Sequence, residues 1–353
     1  MTVKIAINGF GRIGRAFFRQ AEKENAFQIA AINDLASPAC LAHLLKYDSV
    51  HGRFPGKVRA EIDRIVVNDR EIPVFNVSQP RDLHWDRLGI WAVVEATGRL
   101  TRRADLEAHR AAGAEKVVLS ANPCREDRNR IKAFVLGVNH ADYRPASDHC
   151  LSNASCTTHC LAPVLMILDR HFGVRGGLVT TIHSYTRDQR LVDSPHEDLG
   201  RSRAAAVNMV PTTTGATEAI GLVLPGLEGR LQGLSVRVPT PNVSLADLNV
   251  VLDKTTGAKE INDLMGRYAT GELRGILDLN VDPVVSMDFN GSTASATMDT
   301  LRTMVVDLNG EPGHLAKIML WYDNETGYAA RLVDLLKFMI TLEKEEEHGN
   351  QIR

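Results

Sequence analysis

Cysteine is scarce in this chain: five residues, an odd number, spread thinly over 353 positions. That excludes the disulfide framework of small secreted domains. An excess of one charge is also lacking. Forty-one Lys and Arg stand against 43 Asp and Glu, a formal net charge of -2, which argues against a general phosphate-backbone binder. No stretch approaches the roughly 20 apolar residues of a membrane span. The start, MTVKIAINGFGRIGR, leads directly into a strand and carries neither a signal h-region nor transit-peptide character. We therefore expect a cytoplasmic protein with no nucleic-acid or membrane partner and with reduced thiols. Aromatic content is only 5%, but 44% hydrophobic residues is ordinary for a globular protein, and the length allows two core-bearing domains.

Two of the cysteines stand together in SNASCTTHC, residues 152–160, with a histidine just before the second. Cys156 and Cys160 have the i, i+4 spacing that can chelate from one helix face. No second CxxC or HxxxH pair completes a tetrahedral zinc set, so no metal is expected. Thiols one helical turn apart in a reducing compartment rarely form a disulfide. A nucleophile or a buried structural thiol remains.

The chain opens as strand, glycine turn and helix. VKIAI is followed by Gly9, Gly11 and Gly14 in GxGxxG, then by the helix GRAFFRQAEKE. A lone GxGxxG is weak. Here a second apolar strand, FQIAAIND, ends in Asp34, twenty residues past Gly14, where a dinucleotide fold places the carboxylate that grips the adenosine ribose. Glycines let the backbone approach a pyrophosphate, and the helix N-terminus supplies N–H groups and partial positive charge. Strands at 91–98 and 116–123 alternate with a helix at ADLEAHRAAG, which predicts a mostly parallel sheet with Thr97, Gly98 and Ser120 at its ligand-binding carboxyl ends.

From about residue 156 the texture changes. The helix CTTHCLAPVLMILDRHF leads to a strand over 176–186, a loop rich in Arg, Asp and Pro, and longer strands at LQGLSVRVP, SLADLNVVLD and HLAKIMLWYD. These predict an α+β domain with a largely antiparallel or mixed sheet, behind an α/β Rossmann dinucleotide-binding domain. We place the NAD-binding domain at 1–155, joined by a C-terminal helix over 324–342 that packs back on it. The catalytic domain takes 156–323, and a charged, flexible tail takes 343–353. There is no internal repeat.

INGFGRIGR, LLKYDSVHGRF, SNASCTTHCLAPV, TIHSYTRDQ, PTTTGA, RVPTPNVSLADL and WYDNETGY occur in that order. Over about residues 3–340 the chain resembles phosphorylating glyceraldehyde-3-phosphate dehydrogenases, with erythrose-4-phosphate dehydrogenases as near relatives. The resemblance implies oxidation of glyceraldehyde 3-phosphate to 1,3-bisphosphoglycerate with NAD and inorganic phosphate, in glycolysis or gluconeogenesis, by a homotetramer. Cys156 follows Ser155, a plausible N-cap, so the helix end should acidify its thiol. The family pairs its nucleophilic Cys with a His at the spacing of His183, and an imidazole there can lower the thiol pKa or take its proton.

The same resemblance assigns Arg237 and Thr186 to the substrate phosphate, and Ser155, Thr157, Thr214 and Gly215 to the incoming phosphate, with Arg201 as a weaker candidate there. Gly9, Phe10, Gly11, Arg12, Ile13 and Gly14 form the cofactor turn. Asp34, Thr97, Ser120, Asn324 and Tyr328 complete the cofactor set, Asn324 as the residue holding the nicotinamide carboxamide. Cys160 is expected to be structural, as are Cys40, Cys124 and Cys150.

Four positions depart from the family pattern. His159 stands where Asn is usual, Thr326 replaces a Trp, and Ser78 occupies the place of an Arg beside the adenine. Ser194 precedes Pro195 where NAD-specific members carry Leu, a change that accompanies NADP use. Asp34 opposes a 2′-phosphate, and no basic residue follows in LASP, so NAD is favoured, with NADP a weaker alternative. The competing functions are erythrose 4-phosphate oxidation and a non-catalytic NAD-binding regulatory role. Thr186 and TTTGA speak against the first, and the intact Cys156, His183 and Arg237 set against the second.

Overall fold

The computed structural model describes residues 2–308 and 311–351. They divide into two units. The first comprises residues up to Phe134, His140–Ala154, and the chain from Ala329 onward; the second comprises Val135–Asn139 and Ser155–Tyr328.

Among the described residues of the first unit, nine strands form one sheet. Their order is Val58–Ala60, Arg64–Val67, Arg70–Phe75, Phe27–Asn33, Val3–Asn8, Ala92–Glu95, Lys116–Leu119, Cys150–Ser152 and Lys132–Ala133. The first two ladders are antiparallel and the remaining six parallel. Ala92–Glu95 and Lys116–Leu119 are buried at every residue, as a parallel sheet covered on both faces demands. Val3–Asn8 lies between Phe27–Asn33 and Ala92–Glu95, so the strand order reverses at it. Such a switch point is where doubly wound sheets bind ligands, outside the carboxyl ends of the strands.

The glycine turn follows from packing. Gly9 has φ 92, and a Cβ there would meet the backbone N of Thr97 at 2.6 Å. A Cβ on Gly14 would collide with the Gly9 carbonyl oxygen, whereas one on Gly11 would meet nothing within 4 Å. The outer two glycines close the turn on strand and helix, and the middle one leaves the backbone open to a ligand.

One element has no counterpart in the sequence-based expectation and another runs past its expected end. Arg64–Val67 and Arg70–Phe75 form a hairpin whose linking residues Asn68 and Asp69 have φ of 48 and 68. The last helix runs over Thr326–Gln351 rather than ending at 342, so the expected tail is helical through Gln351; residues 352–353 lie outside the described residues. Within the first unit Glu343, at the start of that acidic stretch, accepts from Trp91 Nε1 at 2.9 Å and Tyr143 Oη at 2.7 Å, and pairs with buried Lys116 at 2.9 Å.

The second unit carries a mixed sheet, with the order Val210–Thr213, Leu231–Val238, Val174–Ser184, Ser244–Leu252, Glu311–Tyr322, Ala296–Asp299 and Leu277–Asn280, and with Met304–Leu308 beside Glu311–Tyr322. Ser244–Leu252 alternates strictly between buried and half-buried residues, so one face is covered and the other partly open. Against the sheet lies the helix Cys156–Phe172, apolar around most of its circumference and buried at 13 of its 17 residues. A helix sunk in the core to this depth fixes the position of its first residue, Cys156.

Candidate active site

Ser155 is the N-cap of the buried helix. Its Oγ accepts from Thr158 N at 3.2 Å and lies 2.7 Å from Thr158 Oγ1, which leaves Cys156 as the first helical residue. His183 is near the end of Val174–Ser184, in parallel register with Arg237 on Leu231–Val238. The strand and the helix bring Cys156 Sγ to 3.7 Å from His183 Nε2. On the other side of the ring, Nδ1 lies 2.7 Å from the Ser184 carbonyl oxygen and 2.9 Å from Arg237 Nη1, and Nη1 reaches the same carbonyl at 3.1 Å. The Ser184 carbonyl oxygen has two lone pairs and can accept from both Nη1 and a protonated Nδ1. The Ser184 carbonyl suits a proton on Nδ1, and in that tautomer Nε2 presents its lone pair to the thiol; a proton on Nε2 would instead let Nδ1 accept from Arg237.

Burial, reinforced by the Arg237 cation, drives His183 down to about 3 against the pull of the Ser184 carbonyl. The imidazole is neutral across the physiological range. Burial also pushes the Cys156 thiol up, outweighing the Arg237 charge and the hydrogen bonds from Thr157 that favour thiolate. This corrects the expectation of a thiol acidified at rest: the helix N-terminus and the cation act in the expected sense, but desolvation is larger. The resting pair is thiol and neutral imidazole, with the proton acceptor already in place. Cys160 is buried and its thiol is raised well above its ordinary value, as expected of a structural thiol.

Tyr322 was not anticipated. Its Oη lies 3.0 Å from Thr157 Oγ1, and its ring meets the His183 imidazole edge-on at 6.0 Å between centroids. The signal was present: two-residue alternation along HLAKIMLWYD puts Tyr322 on the buried face with Ile318 and Leu320. Ser184 and Ser244 were also missed. Their hydroxyls donate to Asn324 Oδ1 at 3.0 and 2.9 Å, which fixes the amide orientation and leaves Nδ2 as its donor group. Tyr328 is buried with its ring edge-on to His159 at 5.9 Å, so the unusual histidine packs against it.

The phosphate candidates fall into two kinds. Arg237 keeps a buried Nε that has no hydrogen-bond partner among the described residues, and Thr186 is half-buried with its N–H on Gln189 Oε1 at 3.2 Å. Others are engaged internally: Arg201 pairs with Asp188 and Asp198 and donates to Thr212 Oγ1 at 3.1 Å, and the Thr157 hydroxyl serves Tyr322. Thr214 Oγ1 accepts from Ala216 N at 3.2 Å, at the start of the helix Ala216–Val223 that Gly215 caps.

In the first unit, the middle glycine's open face suits a dinucleotide pyrophosphate. Asp34 stands half-exposed beside it, with Oδ2 accepting from Phe10 N at 2.7 Å and Oδ1 from Ala36 N at 2.9 Å. Phe10 itself shapes the turn, because its ring is buried edge-on against Phe18 and its N–H is taken by Asp34. Arg12 is held by Asp48 at 2.6 Å, Ile13 is half-buried next to it, and Ser120 N bonds the Glu95 carbonyl at 2.9 Å. The residues present fit NAD.

Comparison with known proteins agrees with both halves. Residues 3–103 match the glyceraldehyde 3-phosphate dehydrogenase NAD binding domain, and residues 155–324 match the C-terminal domain of the same enzyme. The chain is 50% identical over 339 residues to a glyceraldehyde-3-phosphate dehydrogenase of Geobacillus stearothermophilus, covering 96% of this chain and 98% of that one. It is 51% identical over 336 residues to glyceraldehyde-3-phosphate dehydrogenase 1 of Bacillus cereus, covering 95% and 98%. A plasmid-borne glyceraldehyde-3-phosphate dehydrogenase of Cupriavidus necator is 48% identical over 337 residues, covering 95% and 97%. The chain belongs to the glyceraldehyde-3-phosphate dehydrogenase family.

Proposed function

We propose that the protein is an NAD-dependent, phosphorylating glyceraldehyde-3-phosphate dehydrogenase with Cys156 as nucleophile and His183 as general base. The observation that carries this reading is the 3.7 Å approach of Cys156 Sγ to His183 Nε2, which in the tautomer with the proton on Nδ1 is free to accept. As Sγ attacks the aldehyde carbon, Nε2 takes the thiol proton. The imidazolium so formed lies 2.9 Å from the Arg237 cation, which disfavours it and returns the proton readily to the substrate oxygen, giving a thiohemiacetal. His183 then removes the hydroxyl proton as the carbon is oxidised. Bound NAD supplies the hydride acceptor for that oxidation. The resulting thioester carbon is attacked by inorganic phosphate, the C–S bond breaks, and the thiolate leaves to be reprotonated.

In this reading the Arg237 guanidinium and Thr186 bind the substrate phosphate, and Thr214 with Gly215 receives the incoming one. The turn at Gly9–Gly14 with Asp34, Thr97 and Ser120 holds NAD, and Asn324 offers its Nδ2 to the carboxamide. Asp34 favours NAD over NADP. A homotetramer belongs to the same reading; the apolar side chains that the loop after His183 exposes, among them Leu191, Leu199 and Met209, support self-association. Five free thiols support a reducing, cytoplasmic setting. The test is NAD reduction measured with glyceraldehyde 3-phosphate and with erythrose 4-phosphate, each with and without inorganic phosphate. Steady turnover of the triose that requires phosphate is the expected result. Faster, phosphate-independent turnover of the tetrose would transfer the assignment, and no turnover of either would favour a regulatory role.

A further inference from the structure

Beneath the glycine turn of the first unit lies a buried polar chain that the chemistry at Cys156 does not use. Asn8, Asn33 and Glu95 end three adjacent parallel strands in one register, Asn8 opposite both of the others. Glu95 and His109 are fully buried. Trp85 Nε1 donates to His109 Nδ1 at 3.1 Å, so Nδ1 is an acceptor and the ring proton sits on Nε2. Nε2 then donates to Glu95 Oε2 at 3.1 Å, where Asn8 Nδ2 also donates at 2.5 Å. The other carboxylate oxygen, Oε1, accepts from Thr97 N at 2.8 Å and Thr97 Oγ1 at 2.5 Å. Asn33 Nδ2 donates to Asn8 Oδ1 at 2.7 Å, and Asn33 is clamped on Val77 through both its amide atoms.

Four donors thus converge on one carboxylate, about as many as its lone pairs accept. The segment they hold is the one on which the dinucleotide turn rests, since the backbone of Thr97 blocks any Cβ at Gly9. We propose that Glu95 and His109 are positioning residues for NAD: with Trp85 fixing the tautomer, they hold Thr97 against Gly9 and so set the width of the turn that receives the pyrophosphate. The proposal rests on the reading that this turn binds NAD, and it places the effect on cofactor affinity rather than on the thiol.

Glu95→Gln preserves volume but replaces one acceptor oxygen with a donor, which must face either Thr97 or the Asn8–His109 pair. NAD titration by calorimetry should give a Kd raised about tenfold, the scale of leaving buried donors unpaired. In NAD-free protein the Thr97 amide should exchange faster with deuterium, while iodoacetamide labels Cys156 at the wild-type rate. Thr97→Val is the gentler variant should Glu95→Gln not fold. It should raise Kd about threefold, and the two changes combined should cost less than their sum, because both break the same contact. Unchanged Kd in Thr97→Val despite faster Thr97 exchange, or additive effects in the double variant, would overturn the proposal. Wild-type protein that binds no NAD would instead remove the cofactor reading beneath it.

Discussion

His183 and Arg237 stand opposite one another on parallel strands, and the guanidinium Nη1 lies 2.9 Å from the ring Nδ1. Burial is the main reason that this general base is uncharged at rest, and a cation this close reinforces it. Arg237 therefore has an electrostatic role besides that of a phosphate ligand. It keeps His183 available as an acceptor and pulls the buried thiol part of the way back toward thiolate.

The pH dependence of Cys156 alkylation follows from these signs. With His183 at about 3 and the thiol raised, the wild-type iodoacetamide rate should climb steadily from pH 5 to pH 9 with no limb from the imidazole. Arg237→Leu removes a cation from both groups. His183 then moves up only in part, since burial still holds it down, and the thiol moves further up, shifting the alkaline limb to higher pH. A profile identical to wild type would deny Arg237 this role.

His183→Asn keeps a polar side chain of similar reach but no base. Acyl-enzyme formation, followed as the pre-steady-state burst of NADH, should slow by about 10²- to 10⁴-fold. NAD binding should be near that of wild type. A burst of unchanged rate would place the proton elsewhere.

Asp34→Ala deletes a charge that opposes a 2′-phosphate, and with it the acceptor for Phe10 N–H at 2.7 Å. The kcat/KM ratio of NAD to NADP should narrow by about tenfold or more, through a gain with NADP and a loss with NAD. If the wild type already prefers NADP, Ser194 rather than Asp34 dominates the choice.

Much of this arrangement was legible in the sequence because it is local. The glycine spacing, the strand that leads to Asp34 and the cap at Ser155 are each readable within a few residues. The charge state of the thiol was not, because desolvation depends on how deeply the whole helix is sunk, and no window around residue 156 carries that. The hairpin at 64–75 escaped although Asn-Asp between apolar runs signals a turn with two positive φ values. The last helix was cut short because EKEEEH reads as a solvated charge run, and composition cannot reveal that one carboxylate within it meets a buried lysine.

Thr214→Ala removes the hydroxyl assigned to the incoming phosphate while leaving Arg237 intact. The KM for inorganic phosphate should rise about tenfold, the scale of one hydrogen bond to a charged group, with the KM for glyceraldehyde 3-phosphate little changed. An equal rise in both would mean that the two anion sites have been assigned wrongly.

Glu343 offers a test of the part of the fold that was misread. Its Oε1 takes Lys116 Nζ and Tyr143 Oη, and its Oε2 takes Trp91 Nε1. Lys116 is 1% exposed, so its ammonium depends on this partner and on the Pro145 carbonyl at 2.5 Å. Glu343→Ala leaves a buried cation uncompensated and two ring donors unpaired, and should destabilise the first unit by about 3 kcal/mol in urea unfolding. Glu345, exposed two residues further on, provides the contrast, and Glu345→Ala should stay within about 0.5 kcal/mol of wild type. Replacing Lys116 as well, in Lys116→Met with Glu343→Leu, removes both charges and should recover much of the loss, since a buried pair contributes less than its broken half costs. Equal and small effects from Glu343→Ala and Glu345→Ala would mean that the acidic end of the helix is a solvated appendage after all.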